Sequence, residues 1–488
     1  MQAVKKNKVL EKIKNLGSPS NNSKNIKKGG VFFVIKGEKE DGSLYVKDAV
    51  KNGARAIVTE NSLEMGTLSE RIPVYIVPNS RIAYAHSCAE SFSNPGDKLD
   101  LCGITGTNGK TSISYILKKI WEEKKPGLIG TIEKIYGERK ILSTLTTPDS
   151  YELNKTLNDM SSEKVKKVFL EVSSHSLELS RVDGINFNSA IFSNISRDHL
   201  DFHKTINSYY KSKAKLFNYH LKNSKKKNKL AIVNIDDKYG KKIADEIKKY
   251  IKVVSYSMKD IDADFYLKES TKTEFGTNLI IKEKTKEYSI DTRLFGNYNF
   301  ENILASFAYS KTKGLSVRRI HRGIKEFAGA PGRLEEINSR DFRIFIDYAH
   351  TPDALLKSIV SIKKNFKNKR LIVVFGCGGD RDKGKRALMG EIASKYADQV
   401  IITSDNPRFE KPLEIIKDIA SGIKISEKRR VATITNRARA ISFAINNLRI
   451  GDQLLITGKG HEQYQDIKGK KNKFSDKVEV KKCLKKIN

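Results

Sequence analysis

The chain has 488 residues, a formal net charge of +35 at pH 7 and a hydrophobic content of 38%. That length exceeds one hydrophobic core, and at roughly 150 residues per domain it implies about three. No unbroken apolar run reaches membrane-spanning length, which argues against membrane insertion. Met1 to Leu10 carries lysines without the apolar stretch of a secretory leader, so a cytoplasmic protein is expected. The four cysteines, Cys88, Cys102, Cys377 and Cys483, match neither a zinc spacing nor a disulfide scaffold and are read as reduced thiols. Lysines are spread along the whole chain, with short clusters such as Lys225 to Lys227, and no long basic arm, zinc finger or aromatic RNA-binding signature accompanies them. The charge is therefore read as solvated surface, with no nucleic-acid partner expected.

Apolar runs ending in polar loops alternate with stretches of helical spacing from end to end, the pattern of an α/β protein with mostly parallel sheets. A first region, 1–96, has strand-like runs at Val31 to Ile35, Ala56 to Val58 and Val74 to Val77, and closes at the turn-forming Ser93-Asn94-Pro95-Gly96. A second, 97–331, has runs at Leu99 to Ile104, Val168 to Val172, Ala190 to Ile195 and Leu230 to Ile235, and ends at Ala330-Pro331-Gly332. The third, 332–488, has four runs, Ile344 to Ile346, Leu371 to Phe375, Val400 to Ile402 and Leu454 to Ile456. Each of the four ends in a polar cluster: Asp347 to His350, Gly376 to Asp382, Ser404 to Arg408 and Gly458 to Glu462. Ligands of open parallel sheets bind outside the carboxyl ends of the strands, so these clusters are expected to converge on one crevice.

Gly103 to Thr111 lies between an apolar run and a segment with Ile113, Ile116, Leu117, Ile120 and Trp121 on one helical face. Glycines let backbone N–H groups turn toward phosphate oxygens, and a helix N-terminus adds partial positive charge. Lys110 would neutralise the β- and γ-phosphates of ATP and the Thr111 hydroxyl could ligate Mg²⁺. The Gly106-Thr107-Asn108-Gly109-Lys110-Thr111 spacing is shorter than the usual phosphate loop. Glu171, at the end of a buried run, could hold the metal directly or through water, or simply face solvent. Asp198, His199, Asp201 and His203 concentrate ligand-capable groups just past another strand.

In this order, Gly106 to Thr111, Glu171-Val172-Ser173-Ser174-His175, Asn194 to His199, Asp347-Tyr348-Ala349-His350 and Gly458 to Glu462 resemble the Mur ligases of peptidoglycan synthesis. The match runs from about Gly30 to Glu462. The resemblance implies three domains: a small N-terminal α/β domain for the UDP-sugar, a central ATPase domain of P-loop type, and a C-terminal Rossmann-like domain for the amino acid. It implies ATP as substrate, Mg²⁺ as cofactor, and an acyl phosphate on the sugar-peptide that an incoming amine displaces. ATP contacts are implied at Gly106, Thr107, Asn108, Gly109, Lys110, Thr111, Ser112, Asn299, Asn302, Arg333, Asp347 and His350. Metal contacts are implied at Thr111, Glu171, His199 and Lys213, with Lys213 carried as N6-carboxylysine and Lys110, His199 and Lys213 catalytic. Lys211 and Lys215 flank Lys213, and an ordinary helix-surface lysine is the competing reading. For the sugar-peptide, Ser23, Thr146, Thr147, Ser173 and Arg181 match. The family's Asp-Ser-Arg reads Asn22-Ser23-Lys24 here, which puts the contacts flanking Ser23 in question.

Within the family, Asp405-Asn406-Pro407-Arg408 resembles the branch that joins meso-2,6-diaminopimelate to UDP-MurNAc-L-Ala-D-Glu. An arginine can clamp the distal carboxylate of diaminopimelate in a bidentate pair and repel the ammonium of lysine. Arg381 is carried over as a second carboxylate contact, and Gly458 and Glu462 as neighbours of the distal ammonium. The competing reading makes Arg408 a loop arginine paired with Glu410. A lysine-adding or folylpolyglutamate-synthase-like ligase is the nearest alternative activity, and a basic nucleic-acid-binding NTPase the alternative of another class. A monomer is expected.

Overall fold

A computed structural model describes residues 16–37, 40–62, 72–274, 276–339 and 341–487. The leader reading of Met1 to Leu10 lies outside them. Three sheets organise the described chain, each more extensive than the apolar runs alone suggest. The first joins β1 (Pro19–Ser20), β2 (Gly30–Phe33), β3 (Ala54–Thr59) and β4 (Val74–Ile76) in that order, all parallel. Its β2 and β3 side chains split between two small cores, with Val31, Phe33 and Val58 on one face and Phe32 and Ile57 on the other. That alternation is the period-2 signature of a strand covered on both sides.

The second sheet is built on β5 (Asp100–Thr105), β6 (Gly127–Ile129), β9 (Lys167–Glu171), β10 (Ser189–Phe192), β11 (Leu230–Asn234) and β12 (Lys252–Ser257), which pair in parallel. Its full order is β15-β14-β13-β12-β11-β10-β5-β9-β6-β7-β8, with β7 (Glu133–Tyr136) and β8 (Arg139–Leu142) at one edge. At the other edge stand β13 (Phe265–Thr273), β14 (Gly276–Glu283) and β15 (Lys286–Thr292). Every antiparallel pairing of this sheet involves its edge strands β7, β8 and β13 to β15, with β7 pairing antiparallel to β6. No expected strand covers these edge strands: their apolar runs, such as Phe265 to Leu267 and Leu279 to Ile281, are short and set among Lys, Glu, Ser and Thr. Central β5 lies between β10 and β9, so the loop after β5 opens at the middle of the sheet.

The third sheet has the order β16-β17-β21-β18-β19-β20. Its strands β17 (Arg343–Asp347), β21 (Gln453–Thr457), β18 (Leu371–Phe375), β19 (Gln399–Ile402) and β20 (Val431–Thr433) are parallel, with β16 (Glu335–Asn338) antiparallel at the edge. The parallel register brings Asp347, Thr457, Phe375 and Ile402 to one end of the sheet, and the four polar clusters follow them there. A hairpin of β22 (Tyr464–Ile467) and β23 (Lys470–Lys473) leaves the last of these clusters. The α/β class with mostly parallel sheets is as the apolar pattern implied.

Candidate active site

Helix Lys110–Ile120 follows β5 directly, and its Ile113, Ile116, Leu117 and Ile120 are buried in the core beneath it. Gly109 precedes it at φ 91°, a left-handed conformation that glycine adopts without strain, and no side chain caps the helix. The backbone N–H groups of Thr107 and Asn108 are taken by the carbonyl and side-chain oxygens of Asn194, at 2.7 and 3.0 Å. The first-turn donors of the helix are left to face a ligand, which is the physical basis of an anion site. Gly106 is equally constrained: a Cβ there would stand 1.9 Å from Ser193 Oγ.

Around this loop lies a cavity of about 190 Å³. The central domain lines it with Thr107, Asn108, Gly109, Lys110, Thr111, Ser112, Thr146, His199 and Asn302, and the C-terminal side contributes Arg333, Asp347 and His350. Lys110 Nζ reaches Gly106 O and Thr107 O at 2.9 and 3.0 Å, and burial pulls its pKa down. The Thr111 hydroxyl is shared by Glu171 Oε2 at 2.9 Å and Arg333 Nη2 at 3.2 Å. Arg333 stacks 4.4 Å from the centre of the Tyr348 ring, while its buried Nε has no hydrogen-bond partner among the described residues. An orphaned guanidinium donor beside orphaned helix N–H groups fits a polyanion. Asp347 accepts from Tyr348 N at 2.8 Å and from Ser358 Oγ at 2.5 Å. Asn299 is turned away from the cavity: its amide donates to Phe295 O at 2.9 Å.

Glu171 is fully buried, and besides Thr111 it accepts from the hydroxyls of Thr131 and Ser114, at 2.7 and 3.2 Å. Lys213 is buried on helix Ile206–Lys215, with Nζ 2.7 Å from Gly106 O. Burial and the neighbouring Lys110 hold its pKa well below the usual lysine range, against the pull of Asp198. Flanking Lys211 is an exposed residue, and Lys215 pairs with Glu178 at 2.7 Å. The described residues contain no group of three or more His, Cys, Asp or Glu able to hold a metal by themselves. The oxygens of Thr111 and Glu171 therefore suit a hard cation that takes most of its ligands from phosphates and water, as Mg²⁺ does with nucleotides.

Asp198 is the centre of the junction between central and C-terminal sheets. Its Oδ2 lies 3.3 Å from His199 Nε2 and 3.7 Å from His350 Nε2, and its Oδ1 lies 3.9 Å from Lys385 Nζ. Burial opposes its ionisation, yet His199, His350 and Lys385 together hold its pKa well below the ordinary range. His199 has φ 54°, a left-handed conformation that a non-glycine residue adopts at a cost, and burial lowers its pKa to about 3. Arg197 pairs with Asp382 at 3.2 Å and Asp201 with Arg381 at 3.8 Å across the same junction.

A second cavity, of about 130 Å³, collects Arg381, Asp405, Asn406, Arg408, Gly458 and Glu462. Pro407 does not line it; its carbonyl accepts from Glu410 N at 3.0 Å. Arg408 has φ 51° and donates from Nη1 to Gly379 O at 2.6 Å. The hairpin grips its backbone on both sides: Arg408 N donates to Asp466 O at 3.0 Å and Lys468 N to Arg408 O at 2.8 Å. Glu410 is taken by Arg386, at 2.8 and 2.9 Å, so it is not the partner of Arg408. The two cavities meet: Asp198, His199, Tyr348 and His350 line both.

The remaining expected residues form a separate group. Thr147 is buried, with its hydroxyl donating to Glu171 O at 2.8 Å and accepting from Ser173 N at 3.0 Å. Ser173 caps helix Ser174–Glu178, and Arg181 Nη1 donates to Thr147 O at 3.2 Å. Thr146 Oγ1, at the cavity wall, is 3.1 Å from Thr131 Oγ1. Ser23 is buried in a short turn of the first sheet's domain, its carbonyl accepting from Asn52 at 2.9 Å. Sequence reasoning missed Lys385, Lys459, Asp382 and Arg386. Asp382 and Lys459 lie inside the clusters Gly376 to Asp382 and Gly458 to Glu462 without having been singled out, Lys385 and Arg386 lie in none, and only the fold brings them to partners such as Arg197, Asn406, Asp198 and Asp418.

Two family models match the chain. The family described as "Mur ligase middle domain" matches residues 104–310, and "Mur ligase, glutamate ligase domain" matches 332–460. The UDP-N-acetylmuramoyl-L-alanyl-D-glutamate–2,6-diaminopimelate ligase of Aquifex aeolicus is 42% identical over 98% of this chain and 94% of its own length. The ligase of the same name from Caldanaerobacter subterraneus is 42% identical over 93% of this chain and 92% of its own. A solved structure of a ligase with that name superposes with a TM-score of 0.67 at 31% identity, covering 96% of this chain and 95% of that one. Folylpolyglutamate synthase of Mycobacterium tuberculosis shares the fold, with a TM-score of 0.63 at 18% identity over 78% of this chain and 92% of that one.

Proposed function

The chain belongs to the Mur ligase family, and from that premise we propose that its two cavities form one reaction site joining meso-2,6-diaminopimelate to UDP-MurNAc-L-Ala-D-Glu at the expense of ATP. It is an ATP-dependent ligase of peptidoglycan precursor synthesis. The observation that carries the detailed reading is the shared wall. The phosphate-loop cavity and the Arg408 cavity both end on Asp198, His199, Tyr348 and His350, so an activated carboxyl group at that wall is within reach of an amine from the other side.

In this reading the first-turn N–H groups, Lys110 and Arg333 bind the ATP phosphates. The γ-phosphoryl group passes to the D-Glu carboxylate, forming an acyl phosphate and ADP. The diaminopimelate amine attacks the acyl carbon, loses a proton, and phosphate leaves as the tetrahedral intermediate collapses. Thr111, Glu171 and His199 would hold Mg²⁺, whose chemistry is charge neutralisation on the phosphate oxygens. Lys213 supports a further ligand: a lysine kept neutral by burial is the form whose nitrogen lone pair bonds to CO₂, releasing a proton and leaving a carboxylate. Thr146, Thr147, Ser173, Arg181 and Ser23 are proposed for the sugar-peptide, and Arg381, Asp405, Asn406, Arg408, Gly458 and Glu462 for the amino acid. Asn299, turned to Phe295, would act by shaping the helix start behind Asn302.

A division at 1–96, 97–331 and 332–488, a cytoplasmic location, a monomer and the lack of a nucleic-acid partner complete the proposal. Among the described residues no helix is long and apolar enough to cross a membrane. Phosphate release tests the whole. Turnover that requires UDP-MurNAc-dipeptide and diaminopimelate together supports it, preference for lysine or a folate favours the neighbouring ligases, and stimulation by DNA or RNA alone overturns it.

A further inference from the structure

Lys459 sits in the Gly458 to Glu462 segment, in which Gly458 and Glu462 were the expected site residues. It is completely buried, at 0% exposure. Its Nζ lies 2.8 Å from Glu462 Oε2 and 3.0 Å from Asn406 Oδ1. Asn406 Nδ2 closes the triangle by donating to the same Glu462 Oε2 at 2.8 Å. Asp466 N also donates to Asn406 Oδ1, at 2.9 Å.

Two consequences follow from this geometry. Asn406 Oδ1 receives an ammonium and a backbone N–H, both obligatory donors, so the amide has one orientation and its nitrogen must face Glu462. The carboxylate of Glu462 is matched by a buried cation, and among the described residues only its Oε2 is engaged, leaving Oε1 for a ligand. A buried ammonium and a carboxylate stripped of water are stable as a pair and costly apart. The cavity lined by Asn406, Arg408 and Glu462 therefore presents amide and carboxylate groups beside a cationic guanidinium, with no unmatched negative charge from Glu462.

We propose that Lys459 is the positioning residue that sets amine specificity. By neutralising Glu462 and locking the Asn406 amide, it makes the cavity favour a substrate whose far end is a zwitterion over one whose far end is a bare ammonium. The inference rests on reading this cavity as the diaminopimelate site. With Lys459 discharged, Glu462 becomes an unmatched anion that attracts the ε-ammonium of lysine, and discrimination collapses.

Phosphate release by the full chain with UDP-MurNAc-dipeptide, ATP and either diaminopimelate or lysine provides the test. In Lys459→Met the ratio of kcat/KM for diaminopimelate to that for lysine should fall about tenfold or more, with the KM for ATP unchanged. Adding Glu462→Gln to that variant should raise the ratio again, because the unmatched anion is gone. A purely structural lysine would lower both kcat/KM values in parallel; an unchanged ratio in Lys459→Met overturns the proposal. Should Lys459→Met fail to fold by circular dichroism, Lys459→Gln, neutral but still a donor to Asn406, carries the same two expectations. Wild-type enzyme that rejects diaminopimelate would instead overturn the reading of the cavity, whatever the variants do.

Discussion

Arg408 has no carboxylate partner in its own loop, since Glu410 is committed to Arg386 and the guanidinium rests on the Gly379 carbonyl. A cation held, among the described residues, by a single neutral acceptor is ready to exchange it for a ligand carboxylate. Arg408→Ala should raise the KM for diaminopimelate by a factor equivalent to about 1.5–3 kcal/mol, a lost charged hydrogen bond, and leave the KM for ATP nearly unchanged. Glu301, at the wall of the cavity around Gly106 to Thr111, has its pKa raised from 4.5 to about 7, chiefly by burial and also by Asp236, against the pull of Lys357. Between those two values the folded chain keeps a proton that the unfolded chain has released. The contribution of this carboxyl is fully present below pH 4.5 and is lost as pH rises through about 7. Glu301→Gln should flatten that part of the stability-versus-pH curve in denaturant titrations between pH 5 and pH 7.5, and parallel curves for variant and wild type would contradict it. Lys385 and Lys459 were invisible at this scale in the sequence, because a lysine in a lysine-rich chain reveals its burial only when partners such as Asp198 or Asn406 are folded against it.

Elements were legible where function and chain are contiguous. The segment from β5 through Gly109 to helix Lys110–Ile120 was readable because its apolar run, its glycines and its helical face are consecutive. The four polar clusters were readable because β17, β21, β18 and β19 are short, continuous and buried. By contrast β13, β14 and β15 lie at a sheet edge, with β13 mostly exposed beyond Phe265, and their short apolar runs, Phe265 to Leu267 and Leu279 to Ile281, are embedded in long, otherwise polar strands. The tightest element is the phosphate loop itself. Gly106→Ala would drive a Cβ to 1.9 Å from Ser193 Oγ and displace the loop from the strand beside it. Misplacement on that scale should cut kcat/KM for ATP roughly 100-fold, in a protein whose circular dichroism is unchanged. Wild-type ATP kinetics in that variant would count against the loop as the phosphate cradle.

At the scale of the whole molecule, charge pairs tie the central and C-terminal domains where the cavities meet: Asp198 with His350 and Lys385, Arg197 with Asp382, Asp201 with Arg381. The surface-exposed Arg197 pair is worth little alone. Asp198 differs because it is buried among three partners, so removing its charge leaves them facing one another. Asp198→Asn, which keeps the shape, should lower kcat by about 10- to 100-fold with a smaller change in the KM of each substrate. Steady-state kinetics with full titration of each substrate would reveal an effect confined to one KM, the outcome expected if Asp198 served a single ligand. Members of this junction such as His199, His350 and Arg381 were legible in the sequence, but not their pairings, since the partners lie more than 150 positions apart.

The grip of β22 and β23 on Arg408 bears on how amine preference could be moved between proteins. Arg408, proposed to select the amine, is seated in a bracket made from chain some sixty positions downstream, where Asp466 and Lys468 clasp its backbone and Asp466 also anchors Asn406. On the proposed reading, preference is a property of two segments that must be inherited together. Transplanting Asp405 to Arg408 alone into a lysine-adding scaffold should carry the guanidinium but not its direction, whereas a graft that also brings residues 458–473 should carry both.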